Sequence, residues 1–273
     1  MRLQTHVFMV GFLKFMPIGA TVTLRLGSGW CSNPLLDRRR YLVNQSDATP
    51  RLLITAGPTY EPIDAVRFIG NRSSGKLGVA IAECAADAGW SVRLLLGPNA
   101  VLPRHQGVEI VRFETTLELE SLLQTHLGQS DTLVMAAAVA DYRVCRDQFD
   151  PETKLRRDEA GDGLTLSLVS TPDLLYGCSK RARADQLLVG FALEPSDRLI
   201  ESARAKMMKK NIDLIVANPL ETMDSDSIEA TLLGNSDRGI VCQHSTPGVM
   251  TKDGFASWLI EQITPFAIQR MHR

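Results

Sequence analysis

Leu52-Leu53-Ile54-Thr55-Ala56-Gly57 and, further on, Asn71-Arg72-Ser73-Ser74-Gly75-Lys76-Leu77-Gly78 decide the fold. The first stretch is a short apolar strand. The second sets an amide, two hydroxyls, glycines and a lysine where a helix opens. A strand that runs through a loop into a helix leaves backbone N–H groups without helical partners, at the positive end of the helix dipole, and that is an anion site. A nucleotide or a phosphorylated substrate is the ligand class this implies. The loop matches neither G-x-x-x-x-G-K-[ST] nor G-x-G-x-x-G, so it is neither a Walker loop nor the dinucleotide fingerprint.

Outward from this stretch, strand and helix patterns alternate from residue 51 onward. Alternation of that kind predicts an α/β protein with a Rossmann-like three-layer fold and a mainly parallel sheet. Ser73 or Ser74 is expected to cap a helix whose apolar positions Leu77, Ala80, Ile81, Cys84, Ala85 and Ala88 recur every three or four residues, with Cys84 in the core. Strands are expected over residues 52–56, 92–96, 108–113, 132–140, 186–191 and 213–217, and helices over 116–127, after Thr171-Pro172-Asp173, and over 196–210. An irregular hairpin is expected over 229–241, before a last helix that buries Phe255, Trp258, Leu259, Ile263 and Phe266. Residues 142–170 break the rhythm. They are polar, carry Lys154, Arg156 and Arg157, and end on alternating Leu164, Leu166 and Leu168, as a flap insertion does.

The 273 residues carry a formal net charge of −1, so no bulk field recruits nucleic acid and any phosphate site must be local. The five cysteines are scattered without a C-x-x-C pair, which disfavours a zinc site or a disulfide framework and fits a reducing, cytoplasmic setting. No uninterrupted apolar run is long enough to span a membrane. Residues 1–50 show no sustained period and contain Arg38-Arg39-Arg40; they are expected to form a poorly ordered extension ahead of a domain over 51–273.

Several residues have the right chemistry for a nucleotide or phosphate site, each beside a plainer alternative. Arg67 can neutralise a phosphate and Asn71 can donate to an acyl or phosphoryl oxygen; both also suit a solvated loop. Asp141 follows the small-residue run Ala136-Ala137-Ala138-Val139-Ala140, where parallel sheets bind ligands, and can ligate Mg²⁺ or cap a turn. Lys154 can swing over a triphosphate or remain a solvated basic residue. Lys206, Lys209 and Lys210 end a helix, where the dipole favours cations in any case. Tyr176 and Lys180 have the Y-x-x-x-K spacing of short-chain dehydrogenases, but the turn after the first strand lacks the glycines that reading needs.

The order of these segments resembles phosphopantothenoylcysteine synthetase, the C-terminal half of the bacterial bifunctional coenzyme A biosynthesis protein, over residues 51 to 267. The resemblance rests on Ile54-Thr55-Ala56-Gly57, Glu61-Pro62-Ile63-Asp64, the run from Val66 to Lys76, the run from Ala136 to Arg143, Lys154-Leu155-Arg156-Arg157, Thr171-Pro172-Asp173, Val189-Gly190-Phe191-Ala192, and the run from Lys210 to Asn218. It implies ligation of L-cysteine to 4′-phosphopantothenate, with CTP and Mg²⁺, through an acyl-cytidylate. It also implies that Asn71 holds the intermediate, that Arg67 supports the phosphopantothenate end and that Lys154 covers the reacting centre. Gly57, Ser73, Ser74, Gly75, Ala137, Ala138, Asp141, Phe191, Lys206 and Lys210 would line the nucleotide site, with Asp141 toward the metal. A homodimer through residues near 142–170 is implied as well. Residues 1–50 are too few for the family's flavin-dependent decarboxylase, so no FMN is expected. The chain departs from the family at Gly57-Pro58, where proline removes an N–H donor, at Tyr60, where the family has a basic residue, and at Arg156 and Arg157, where it has lysines.

Overall fold

The computed structural model describes residues 49–145, 147, 150–156, 163–222 and 225–272. The expected N-terminal extension, up to residue 48, and Arg157 lie outside the described residues. In chain order the elements are β1 (Arg51–Ala56), β2 (Tyr60–Pro62), β3 (Phe68–Gly70), α1 (Lys76–Asp87), β4 (Ser91–Leu96), β5 (Val108–Arg112) and α2 (Thr116–His126). Then come β6 (Thr132–Met135), β7 (Tyr142–Val144), β8 (Leu168–Ser170), α3 (Leu174–Arg181), β9 (Leu187–Glu194), α4 (Leu199–Lys210) and β10 (Leu214–Pro219). The last are β11 (Ser227–Ile228), β12 (Thr231–Gly234), β13 (Gln243–Ser245), β14 (Met250–Thr251) and α5 (Lys252–Met271).

The central sheet has eight strands in the order β13-β12-β10-β9-β6-β1-β4-β5. The six from β10 to β5 are parallel, and β12 and β13 close one edge antiparallel. From β1 the chain moves through β4 to β5, and from β6 it moves through β9 to β10 in the other direction. The reversal falls between β1 and β6, and the loops leaving the strands there are where such sheets take ligands.

Both faces of the sheet are covered, which is why its strands read as nearly continuous apolar runs. Leu52 and Ile54 pack with Ile81 and Ala85 of α1 and with Phe255, Leu259 and Ile263 of α5. Leu53 points to the other face, with Leu119 and Leu123 of α2, Cys178 of α3 and Met207 of α4. Trp258, Phe266 and Cys84 are half-buried rather than buried, each packed against the first cluster at its rim. Below the strands, Asp213 has no exposed side-chain surface and accepts from Arg238 Nε at 2.8 Å, from the Arg270 guanidinium and from Leu188 N at 2.8 Å. This cluster ties the last turn of α5 to the start of β10.

Three expected elements come out differently. The N-cap of α1 is Gly75, in the left-handed conformation with φ 69°, and not Ser73 or Ser74. A serine at that position would strain its backbone, which glycine does not. The fourth parallel strand stops at Met135 rather than at residue 140, because side-chain and loop groups capture the next N–H groups: Ala137 N donates to Thr55 Oγ1 at 3.0 Å and Ala138 N to Gly57 O at 2.9 Å. The hairpin over 229–241 is β12 with a return strand that starts later, at Gln243. The 142–170 insertion is bounded by its own two-stranded ribbon, β7 with β8.

Candidate active site

The loops after β1 and β6 stay joined well beyond the strands. Pro58 bridges Ala138, Thr59 N donates to Ala138 O at 3.2 Å, and Ala140 N donates to Thr59 Oγ1 at 2.9 Å. The crevice at the strand reversal is therefore closed at its base. Gly57 (φ 86°) and Gly75 meet there over Ala100: a Cβ on Gly57 would lie 3.0 Å from the Ala100 Cβ, and one on Gly75 2.7 Å. The space that dinucleotide folds leave beside such glycines is filled here by the Ala100 methyl. Ser73 Oγ accepts from Gly75 N at 3.4 Å, and Ser74 O accepts from Val101 N at 3.3 Å, which fixes the turn into α1.

The opening lies one strand over. β6 and β9 last pair at Met135 and Gly190, so Phe191 to Glu194 of β9 run on without β6 beside them. Half-buried Ala136, Ala137, Ala138 and Phe191 border this gap. α4 packs over it on the β9 side and brings Lys206, half-buried, toward Asp141, Asp173 and Glu194. Burial pushes the Lys206 ammonium below its usual range and Lys210 adds to that; Glu194, Asp141 and Asp173 oppose the shift without cancelling it. Lys210 Nζ lies 2.7 Å from Asp173 Oδ1. Burial would raise the Asp173 carboxyl, but Lys210 and the Tyr176 N–H outweigh it and hold it below the ordinary carboxylate range. Lys210 is thus partly committed to Asp173, the carboxylate that caps α3. Asp141 is exposed, and its carbonyl accepts from Thr171 N at 2.9 Å, which fixes the turn that carries it.

On the other side stands the β2–β3 hairpin, held by the Tyr60–Phe68 ring stack at 3.7 Å and by Asn99 Nδ2 donating to Tyr60 Oη at 3.1 Å. Its turn carries Arg67, whose guanidinium pairs with the Asp64 carboxylate. Asn71 follows β3, and its Nδ2 donates to Val139 O at 2.9 Å. That bond joins the hairpin to the loop that ends at Asp141. Lys154 is exposed on the insertion; its neighbours Thr153 and Leu155 both bond to the turn that carries Arg67. Arg67, Asn71 and Lys154 thus form one group, and Phe191, Asp141, Lys206 and Lys210 another, with the Asn71–Val139 bond between them. A cleft of about 810 Å³ alongside, lined among others by Glu61, Thr116, Arg143 and Thr171, contains none of the expected residues.

Composition and spacing singled out neither Asp64 nor the threonines. Asp64 and Arg67 stand three apart before an extended segment, which is a turn-forming pair, and that spacing is the one signal available. Thr55 and Thr59 read as strand and loop residues, since their work is to capture the N–H groups of a distant segment. No group of three or more His, Cys, Asp or Glu side chains among the described residues can hold a metal ion. Asp141 alone suits Mg²⁺ that keeps waters and arrives on phosphate oxygens, not a metal caged by protein. Lys180 Nζ sits 4.4 Å from the Tyr176 ring centroid, a surface packing pair on α3.

Residues 48–266 match the family described as DNA/pantothenate metabolism flavoprotein C-terminal domain. The coenzyme A biosynthesis bifunctional protein CoaBC of Mycobacterium bovis is 36% identical over 242 residues, covering 82% of this chain and 56% of that protein. The protein of the same name from Escherichia coli (strain K12) is 41% identical over 180 residues, covering 64% of this chain and 43% of its own length. The chain spans about half the length of the curated relatives it matches. Among solved structures, the C-terminal domain of coenzyme A biosynthesis bifunctional protein CoaBC aligns with a TM-score of 0.65 at 32% identity, over 80% of this chain and 95% of that one. With its parallel sheet, its joined strand-end loops and a family match that runs from β1 into α5, the chain belongs to the DNA/pantothenate metabolism flavoprotein C-terminal domain family.

Proposed function

We propose that this protein is a phosphopantothenate–cysteine ligase that uses CTP. The observation that carries the reading is the Asn71–Val139 bond, which sets an uncharged side-chain amide between the Arg67–Lys154 group and the Asp141–Lys206 group. A mixed anhydride needs such a donor, together with cations at its phosphates and no nucleophilic side chain.

In the first step a carboxylate oxygen of 4′-phosphopantothenate forms a bond to the α-phosphorus of CTP. The bond from that phosphorus to the β-phosphate bridging oxygen breaks, and pyrophosphate leaves. In the second, the cysteine amine attacks the acyl carbon, the acyl–oxygen bond breaks, CMP departs with the electron pair and the amine loses a proton. With one N–H of Asn71 Nδ2 given to Val139 O, the other donates to the acyl-cytidylate oxygens. Arg67 faces the phosphate of phosphopantothenate, and Lys154 reaches over the reacting centre. Phe191 and the alanines from Ala136 to Ala138 border the nucleotide, with Gly57, Ser73, Ser74 and Gly75 shaping the turn beside it. Lys206 and Lys210 supply positive charge on the far side. Mg²⁺ bound with the triphosphate would neutralise its charge, and the exposed Asp141 is the carboxylate that would hold it. The β7–β8 ribbon exposes Tyr142, Leu168 and Val169 and is the surface on which two copies would pair as a homodimer. The reaction uses no flavin, and its soluble substrates suit the cytoplasm.

Release of CMP and pyrophosphate that requires both 4′-phosphopantothenate and cysteine tests this reading, with ATP in place of CTP as the comparison. CTP that binds but never turns over in the presence of both substrates would refute it. Asn71→Ala should lose about 10²–10³-fold in the rate of amide formation, as loss of one oxyanion donor does, while some acyl-cytidylate still forms. Unchanged turnover in that variant removes Asn71 from the role.

A further inference from the structure

Asp64 is a carboxylate with no exposed side-chain surface, and the four bonds it accepts go to two different parts of the site. Oδ1 accepts from Val66 N at 2.8 Å and from Arg67 N at 2.7 Å, which closes the hairpin turn on itself. Oδ2 accepts from the Arg67 guanidinium and from Leu155 N at 3.1 Å, which lies on the insertion some ninety residues away in sequence. Two further bonds run alongside: Arg67 Nη1 donates to Leu155 O at 3.4 Å and Ala65 N to Thr153 O at 3.5 Å. Lys154 stands between Thr153 and Leu155, held through the backbone on both sides while its own side chain stays exposed.

We infer that Asp64 is a positioning residue, the latch that fixes Arg67 and the Lys154 segment to one another so that both cations face the same substrate. The inference rests on the ligase reading above and deepens it. A carboxylate suits the task because one oxygen serves the turn while the other serves the insertion, and an ionised carboxyl accepts at both without donating. Burial would raise its pKa, but the three backbone N–H donors and the Arg67 charge outweigh that and hold it below the ordinary carboxylate range. The latch is therefore set at neutral pH. An amide at position 64 would also close the turn, and a serine would do so more weakly, since such turns need one oxygen only. The second oxygen is not needed to close the backbone of the turn; its partners are the Arg67 guanidinium and the insertion.

Asp64→Asn in the full chain keeps an oxygen for the turn and turns an N–H₂ toward Leu155 N and Arg67. Hydrogen exchange at the backbone amides of residues 153–155 should speed at least tenfold, with exchange in α1 and the central sheet unchanged. Turnover should fall roughly tenfold, with KM for CTP within about threefold of the parent. Lys154→Ala combined with Asp64→Asn should lose less than the product of the two single losses, because part of the Asp64 effect runs through the same ammonium. Leu155→Pro removes the donor from the exposed side of the latch and should reproduce the loss of turnover even if Asp64→Asn does not fold. Unchanged exchange, full turnover in Leu155→Pro, or multiplicative losses in the double variant would each overturn the latch. The parent protein is assayed first: failure to release CMP sinks the ligase reading, while the exchange comparison still decides whether Asp64 holds the segment.

Discussion

Asp64 and Asp213 both have side chains with no exposed surface, and both accept from arginine and from backbone N–H groups, at opposite ends of the parallel sheet. Around Asp213 every partner belongs to the framework: Arg270 is 6% exposed, and its guanidinium also donates to Ala184 O at 3.2 Å and Arg238 O at 2.9 Å. Around Asp64 the arginine side chain is 48% exposed and the backbone partner sits on an insertion. The same chemistry makes a clamp where both sides are rigid and a coupling where one side borders solvent. Burial of the carboxylate does not separate the two cases; the exposure of its partners does.

The comparison breaks most visibly at the clamp. Asp213→Ala leaves two arginines without their counter-charge in a buried setting, which costs about 3–5 kcal/mol and lowers the melting temperature by roughly 10 °C. Denaturant and thermal unfolding measure this, and folded protein below the transition should keep its substrate KM values. At the other end, Arg67→Ala leaves Asp64 its three backbone donors, so the melting temperature should stay within a few degrees. KM for phosphopantothenate should rise about ten- to a hundredfold, the worth of one charge-assisted hydrogen bond to a phosphate. A stability loss in Arg67→Ala as large as in Asp213→Ala would erase the distinction.

Acid sharpens it further. Asp64, Asp131 and Asp173 are all held below the ordinary value of 3.8 in the folded protein, Asp131 by the Arg51 guanidinium and N–H against the raising effect of burial. A lowered folded pKa contributes stability that is fully present above the unfolded value and is lost as pH falls through the folded one. The urea midpoint should hold level from neutral pH down to about pH 4 and fall below it. Asp131→Asn should flatten that fall. The smallest effect belongs to the Tyr176–Lys180 pair, where Lys180→Ala should cost no more than about 0.5–1 kcal/mol and leave turnover unchanged.

Much of the framework was legible in the sequence, because a parallel sheet covered on both faces writes itself as short apolar runs, and α1 and α2 as three-and-four periods. Leu52 to Ala56 and Leu94 to Leu96 needed no further information. The run from Ala136 to Ala140 misled because apolarity marks burial and not pairing: those residues leave the sheet when Thr55, Thr59 and Gly57 capture their N–H groups. Gly75 rather than Ser73 or Ser74 caps α1, since the tight approach to Ala100 demands a left-handed residue without a Cβ, a need set by a loop far along the chain. At the site, residue types were readable and alliances were not. Asn71 carries no mark of Val139, nor Asp64 of Leu155, because such bonds depend on which loops the topology brings to one end of the sheet.

The clamp at Asp213 also sets a schedule for synthesis. Its carboxylate leaves the ribosome before Arg238 and well before Arg270, the residues that complete it. Before α5 is in place the carboxylate has Arg238 and the Leu188 N–H for partners, and lacks only the Arg270 guanidinium. Completion of the clamp therefore waits for the last turn of α5, whose docking brings the second guanidinium to a carboxylate made far earlier in the chain.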